Sequence, residues 1–483
     1  MKEWRTLFIG GSWVGSDGGD SIDVHSPATE ELVGRVPRAT SSDVDRAAVA
    51  AREAFDSGPW PRLSLEDRIA IVEEAKAGLI RRTDELATLL TLEQGTPYVQ
   101  ARAGVTGSPI NYIDDAVAAA RSLLAHDEIR RDSSGSTLIV QDPVGVCASI
   151  TPFNGPLITA VLKTVPAILA GCTVVLKPSP LTPLDNYVFA EIFEAAGLPA
   201  GVLNLVQGDA RVGEHLVRHP AIDKVAFTGS SAAGRQIASI CGQQLKRMHM
   251  ELGGKSAAIV LEDADISTCL PKLAAGALAS QVCIALSRVL VPRSRHDEIV
   301  DALCQAAKSR RPGDPFDPGT TMSPLISEHQ RNAVEEAIRM AVADGCKLAG
   351  GGQRPADADR GFYLEPAVIT GVDNSMRIAR QEVFGPVASV ITYDSVDEAV
   401  AIANDSEYGL HGAVFTSDPA AAIAVARRVR TGTFGINTFG FHISSPMGGV
   451  RGSGFGREHG VEGLAEYLAP KAITLPAGFD EAF

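Results

Sequence analysis

Positive charge is the scarcer sign in this 483-residue chain, with 44 Lys and Arg against 58 Asp and Glu and a formal net charge of -14. Nucleic acid and anionic membrane surfaces select for clustered basic residues, so neither is an expected partner. Cysteine is sparse as well. Seven residues, an odd number at irregular spacings with no CxxC pair, fit neither a disulfide framework nor a zinc site, and no metal site is expected. The N-terminal stretch "MKEWRTLFIGGSWVG" holds no apolar run of signal-peptide length. The longest apolar run, residues 165–176, contains Pro166 and falls short of the roughly 20 residues that span a bilayer. A soluble, cytoplasmic protein is expected. Aromatics are few at 5%, but 45% hydrophobic against 21% charged residues is the balance of an ordinary globular protein. The length exceeds what one core fills, so about two or three domains are expected.

Two early helices are marked by capping patterns: Ser42 with Asp45 before "RAAVAAREAF", and Ser64 with Asp67 before "RIAIVEEAKAGLI". From about residue 137 short β-branched runs alternate with helical stretches. The strands are "STLIV", "VGVCASI", "CTVVL", "VLNLV", "KVAFTG" and "SAAIVL"; the helices are "GPLITAVLKTVPAILAG", "PLDNYVFAEIFEAAG", "VGEHLVRHP" and "SAAGRQIASICG". That alternation predicts an α/β fold with a parallel, doubly wound sheet. A second α/β region follows from about residue 253, with strands "SRVLVP", "PVASVITY", "GAVFT" and "TFGIN". The polar "RRDSSGS" reads as an exposed ribbon between domains.

A dinucleotide's pyrophosphate sits where a strand ends and a helix begins, because free N–H groups and the helix dipole favour anions there. "KVAFTGSSAAGRQI" offers such a turn at Gly229 and Ser230, whereas "LVQGDARVG", with Gly208, is not a proper GxGxxG because Ala210 stands at the second glycine position. Each turn alone is also what an ordinary βα connection looks like. Cys283, in "LASQVCIALSR", poses the same choice between a small buried hydrophobe and a nucleophile.

Taken together, "LFIGGSWV", "TPFNGP", "KPSP", "FTGS", "MELGGK", "SQVC", "EVFGPV" and "PMGGVRGSGFGREHGVEGL" follow one another in an order that resembles the aldehyde dehydrogenase superfamily, of the NAD(P)-dependent, hydrolytic type, over essentially the whole chain. The resemblance implies a Rossmann-like dinucleotide-binding domain (1–122 and 144–252), an α/β catalytic domain (253–450), and a small β oligomerisation ribbon with the C-terminal tail (123–143 and 451–483) that joins subunits into a homodimer or homotetramer. By the same resemblance Cys283 is the nucleophile, since a thiolate adds to an aldehyde and leaves a thioester that water can open. The Asn154 side-chain amide and the Cys283 backbone N–H are the donors for the oxyanion. Glu251 is the general base for the hydrolytic water, and Lys163 and Glu458 relay protons.

The resemblance places the cofactor, NAD with NADP possible, against Thr151, Pro152, Phe153, Lys177, Ser179, Pro180, Gly208, Gly229, Ser230, Ala233, Leu252, Gly253, Glu382 and Phe384. Lys177 and Glu382 hold the two riboses. Pro180 departs from a family pattern that often has glutamate there, which loosens an exclusive NAD preference. Ser280 departs from a common glycine, and the interval from Glu251 to Cys283 is shorter than usual. Positions matching the aldehyde funnel are Gly155, Thr159, Leu162, Val282, Ile284, Phe441, Ile443 and Met447. Gly155, Thr159 and Leu162 stand where the family often has aromatic bulk, and Val282, Ile284, Phe441, Ile443 and Met447 keep the funnel apolar, so medium-to-large hydrophobic aldehydes are the expected substrates. Two alternatives accompany this reading: a relative that passes the acyl group to coenzyme A, against which Glu251 argues, and a non-catalytic structural relative, against which Cys283, Asn154 and Glu251 together argue.

Overall fold

The computed structural model describes residues 1–356, 358–476 and 479. Its first half is organised on an eight-stranded sheet in the spatial order Gly454–Phe455, Arg247–Glu251, Lys224–Thr228, Val146–Ile150, Thr173–Lys177, Leu203–Leu205, Thr6–Ile9 and Ser12–Gly15. The five strands between residues 146 and 251 run parallel. The outer strands are antiparallel. Helices cover both faces, so Val146–Ile150 and Thr173–Lys177 are buried at every position, which explains their mainly apolar character; the polar exceptions Ser149, Thr173 and Lys177 each donate to a backbone carbonyl. Strand order reverses on either side of Val146–Ile150. A crevice opens at the carboxyl ends of the strands at such a reversal, and it is where doubly wound sheets bind ligands.

The second sheet has seven strands in the order Lys347–Gly350, Ala367–Thr370, Val387–Tyr393, Arg288–Pro292, Ala257–Val260, Gly412–Phe415 and Gly435–Ile436, parallel except for the first. A third, three-stranded antiparallel sheet joins Glu128–Asp132, Gly135–Pro143 and Leu468–Leu475, and is largely exposed. No helix among the described residues is long and apolar enough to cross a membrane.

Several expectations are corrected. The first helix is Ser41–Asp56, and its cap is Thr40 with Asp43, not Ser42 with Asp45. Asp43 is buried and accepts from Thr40 and Ser16, which fixes the start one half-turn earlier. Ser64 caps its helix as expected, accepting from the Asp67 N–H at 3.2 Å. The helix Ser108–Leu124 occupies the start of the segment assigned to the ribbon at 123–143, whose first strand begins only at Glu128. Of the tail assigned to the ribbon at 451–483, Gly454–Phe455 instead pairs with Met250 and Glu251 in the first sheet, and only Leu468–Leu475 pairs with Gly135–Pro143. Residues 477, 478 and 480–483 lie outside the described residues.

Candidate active site

Between the helix Ile266–Ala277 and the strand Arg288–Pro292 the chain forms an irregular loop, and Cys283 within it lines a deep cleft. Two residues before it, Gln281 takes a left-handed φ of +57°, a conformation that costs a side-chain-bearing residue energy unless its surroundings impose it. Here they do: Gln281 Oε1 accepts from Ile326 N at 3.0 Å and Nε2 donates to the Pro324 carbonyl at 3.5 Å. Asn154, in the turn after Val146–Ile150, donates its Nδ2 to the Gln281 carbonyl at 2.7 Å, tying the two loops together. An amide carries two N–H groups, so one donor stays uncommitted. The Ser280 hydroxyl is buried and has no partner among the described residues.

Burial pushes the Cys283 thiol up to about 12, and the carboxylates of Glu251, Glu382 and Glu458 add to the rise, with the Ile284 N–H opposing it. Glu251 closes the strand Arg247–Glu251 and is raised by burial and by Glu458, against Lys163, Arg457 and the Gly449 N–H. Two residues earlier on the same face, His249 Nε2 lies 3.3 Å from Glu251 Oε1. Lys163 Nζ donates to Glu458 Oε1 at 2.8 Å in a pair shielded from water on both sides. Burial alone would raise Glu458, but Lys163 overrides it and holds the carboxyl well below its ordinary range. The helix Pro156–Ala170 carries Lys163, and its carbonyl at that residue accepts from Ser149 and Tyr467, fixing the turn.

The cleft, about 710 Å³, opens at the carboxyl ends of the first sheet's central strands. Every cofactor contact expected from the sequence lines it except Gly208, whose carbonyl accepts from Lys177 Nζ at 2.9 Å. Burial lowers Lys177 to about 8. Ser230 caps the helix Ser231–Gln244, accepting from Ala233 N at 3.2 Å, so that helix presents its N-terminus to the cleft. Glu382 accepts from Gly254 N at 3.0 Å, and burial raises it to about 6. A Cβ on Gly253 would collide with the Glu382 carboxylate, which accounts for glycine there. Phe384, also left-handed at φ +54°, stands edge-on to Phe153 at 5.8 Å.

The description "Aldehyde dehydrogenase family" matches residues 13–473. A geranial dehydrogenase of Castellaniella defragrans is 42% identical over 472 residues, covering 97% of this chain and 98% of that protein. This chain belongs to the aldehyde dehydrogenase family. Among solved structures, an aldehyde dehydrogenase of Mycobacterium tuberculosis complexed with NAD+ superposes with a TM-score of 0.96 at 43% identity, covering 99% of each chain. A cysteine-to-alanine mutant of aldehyde dehydrogenase C from Pseudomonas syringae, complexed with NAD+ and octanal, gives 0.92 at 41% identity, covering 98% of this chain and 97% of that one.

In this aldehyde dehydrogenase a second cavity, about 520 Å³, lies on the other side of Asn154. Asn154 lines both spaces, and the loop divides between them, with Val282 on the second and Cys283 on the first. Of the expected funnel residues only Gly155 and Val282 line this chamber. Thr159 turns its hydroxyl back onto the Gly155 carbonyl at 2.7 Å. Leu162 faces a small void with Tyr112 and His459. Phe441 packs edge-on against His459, whose Nδ1 meets the Ile443 carbonyl at 2.9 Å. Met447 is buried in a bridge to Glu458, and Ile284 turns its N–H to the thiol. The far walls come instead from Gln100, Val105, Ile158, Leu278, Arg310 and Phe439. Their sequence positions carry no shared motif, so only the fold brings them together. His249 was equally silent in the sequence, although its i, i+2 spacing from Glu251 on a strand is the signal that finds it.

Proposed function

We propose that this enzyme oxidises medium-to-large, mainly apolar aldehydes to carboxylic acids with NAD as its cofactor, NADP being tolerated. The observation that carries the reading is the position of Asn154 and the Cys283 loop at the boundary between the two cavities. One is a cleft at the sheet's switch point and the other a mainly apolar chamber with Gln100 and Arg310 among its polar groups. The cleft's residues fit a dinucleotide: a helix N-terminus for a pyrophosphate, and Lys177 and Glu382 as donor and acceptor for ribose hydroxyls. Bound NAD supplies the hydride acceptor.

The chain does the rest. Cys283, as the thiolate once its proton has passed to solvent, bonds through sulfur to the carbonyl carbon; the C=O π pair moves to oxygen, giving a thiohemiacetal oxyanion that takes N–H donors from Asn154 and the Cys283 backbone. Loss of hydride leaves a thioester. Glu251 takes a proton from water, the resulting hydroxyl attacks the thioester, and the acid departs as the thiolate is released. Lys163 and Glu458 lie beside Glu251 to carry that proton away.

The related proteins acting on geranial and holding octanal support an apolar substrate of several carbons. Gln100 and Arg310 on the far wall leave room for a polar group at the distal end. The exposed three-stranded sheet, whose outer strands Glu128–Asp132 and Leu468–Leu475 have no further strand beside them among the described residues, supports assembly into a homodimer or homotetramer. In Glu251→Gln, rapid mixing should give a full burst of reduced cofactor followed by little turnover. A burst and a steady rate both like wild type would refute the hydrolytic assignment, and turnover restored by added coenzyme A would favour acyl transfer instead.

A further inference from the structure

Glu251 lines neither cavity, although the thioester it must serve forms between them. Its side chain is 4% exposed and His249's is 1% exposed, with Nε2 to Oε1 at 3.3 Å. Among the described residues no other side chain hydrogen-bonds Glu251, and both Glu251 Oε2 and His249 Nδ1 are buried without a partner. Glu251 is thus held by His249 away from both cavity linings, and it must move to reach a thioester on Cys283.

We propose that His249 is a positioning residue for Glu251, its Nε2–H holding Glu251 Oε1 in a socket behind the active site from which the carboxyl swings to the thioester. The inference rests on the assignment of Glu251 as the hydrolytic base.

The groups facing this pair define the direction of the hydrogen bond. Lys163 faces it from the helix Pro156–Ala170, Lys224 from the neighbouring strand, Arg457 and Glu458 from the segment after Gly454–Phe455, and the Gly449 N–H from the preceding turn. Burial first, and then Lys163, hold His249 far below its ordinary range, at about 3, with Glu458 opposing. The ring is therefore neutral at working pH. A neutral imidazole beside a carboxylate donates, and that donation favours the ionised carboxyl. It thus partly offsets the burial that raises Glu251.

The test follows acyl-enzyme decay directly. A single turnover with excess enzyme and NAD+ is acid-quenched at intervals, and the decay rate is profiled from acid to mildly alkaline pH. In His249→Leu the acid limb should move to higher pH by about one unit, the size of a hydrogen bond to a charged group. Acyl-enzyme formation should stay as in wild type. His249→Gln, which keeps an N–H near the Nε2 position, should restore the wild-type limb. If His249→Leu does not fold, His249→Thr, a strand-favouring residue too short to reach Glu251, takes its place. An unmoved limb, a limb moved to lower pH, or a His249→Gln profile like that of His249→Leu would overturn the proposal. Glu251→Gln run alongside separates the two claims. If that variant decays at the wild-type rate, the base assignment fails, whatever His249 does.

Discussion

A thiol pushed up to about 12 is almost wholly protonated in the resting enzyme, and this has a measurable consequence at Cys283. At about pH 8 roughly one molecule in 10,000 carries the thiolate, against about a quarter for an exposed cysteine. Alkylation by iodoacetamide, read by mass spectrometry on the Cys283 peptide, should therefore run about a thousandfold slower than for a free thiol. It should climb about tenfold per pH unit, without a plateau below about pH 10. Burial is the largest cause, and of the neighbouring carboxylates Glu251 is the first. Glu251 is itself raised by burial and by Glu458 and is the proposed hydrolytic base, so the informative perturbation is Glu382→Gln, which removes a carboxyl that titrates at about 6. That variant should speed alkylation at pH 8 by up to about tenfold. NAD+, whose oxidised ring is cationic, should speed it in wild type. A plateau at or below pH 8 in the unliganded enzyme, or indifference to Glu382→Gln, would refute the reasoning.

Two further outcomes follow from the walls of the cavities. Pro180 lines the cleft with Lys177 and Arg211 nearby, and Glu214 is paired with Arg218 at 2.8 Å, so little negative charge opposes a 2′-phosphate. Pro180→Glu should raise the NAD+ over NADP+ ratio of kcat/KM by about tenfold or more through like-charge repulsion, and an unchanged ratio would show that the cofactor's ribose lies elsewhere. Gly155 opens on the chamber, and a Cβ there would meet nothing within 4 Å. Gly155→Phe should therefore fit, fill the space beside Asn154, and cut kcat/KM for an eight-carbon aldehyde more than for acetaldehyde; in wild type each buried CH2 should contribute about 0.8 kcal/mol. Equal losses across chain lengths would refute a chamber that holds the substrate.

What the sequence disclosed and what it hid divide along physical lines. Asn154, Glu251 and Ser230 sit at strand ends or tight turns whose backbone demands leave short motifs rich in Gly and Pro, and the structure brings Asn154, Ser230 and Cys283 to one cleft with Glu251 behind it. The parallel strands were legible because burial on both faces favours short, mainly apolar, β-branched runs. The chamber was not. Its walls are drawn from residues 90–109, 154–158, 275–282, 310–325, 364–366, 386 and 439, so matching one helix face by position placed Thr159 and Leu162 on it when a backbone hydrogen bond and a small separate void claim them. The ribbon's limits failed for a related reason, since pairing of Gly454–Phe455 with the first sheet is a long-range choice that no local pattern records.

The loop that carries Cys283 illustrates how long-range contacts hold a local conformation. A left-handed Gln281 costs about 1–3 kcal/mol and would not persist in an isolated loop. Three hydrogen bonds hold it: its side chain to Ile326 N and to the Pro324 carbonyl, and its carbonyl from Asn154. Downstream, Gln330 Nε2 donates to the carbonyls of Val383 and of Phe384, the other left-handed residue of the cleft. Residues 324–330 thus brace the nucleophile loop on one side and the Phe384 turn on the other. The pose of the thiol is consequently a property of this brace as much as of the "SQVC" motif. The same contact that orients the loop also places Asn154, so the proposed nucleophile and the proposed oxyanion donor are positioned together and a disturbance of one displaces both.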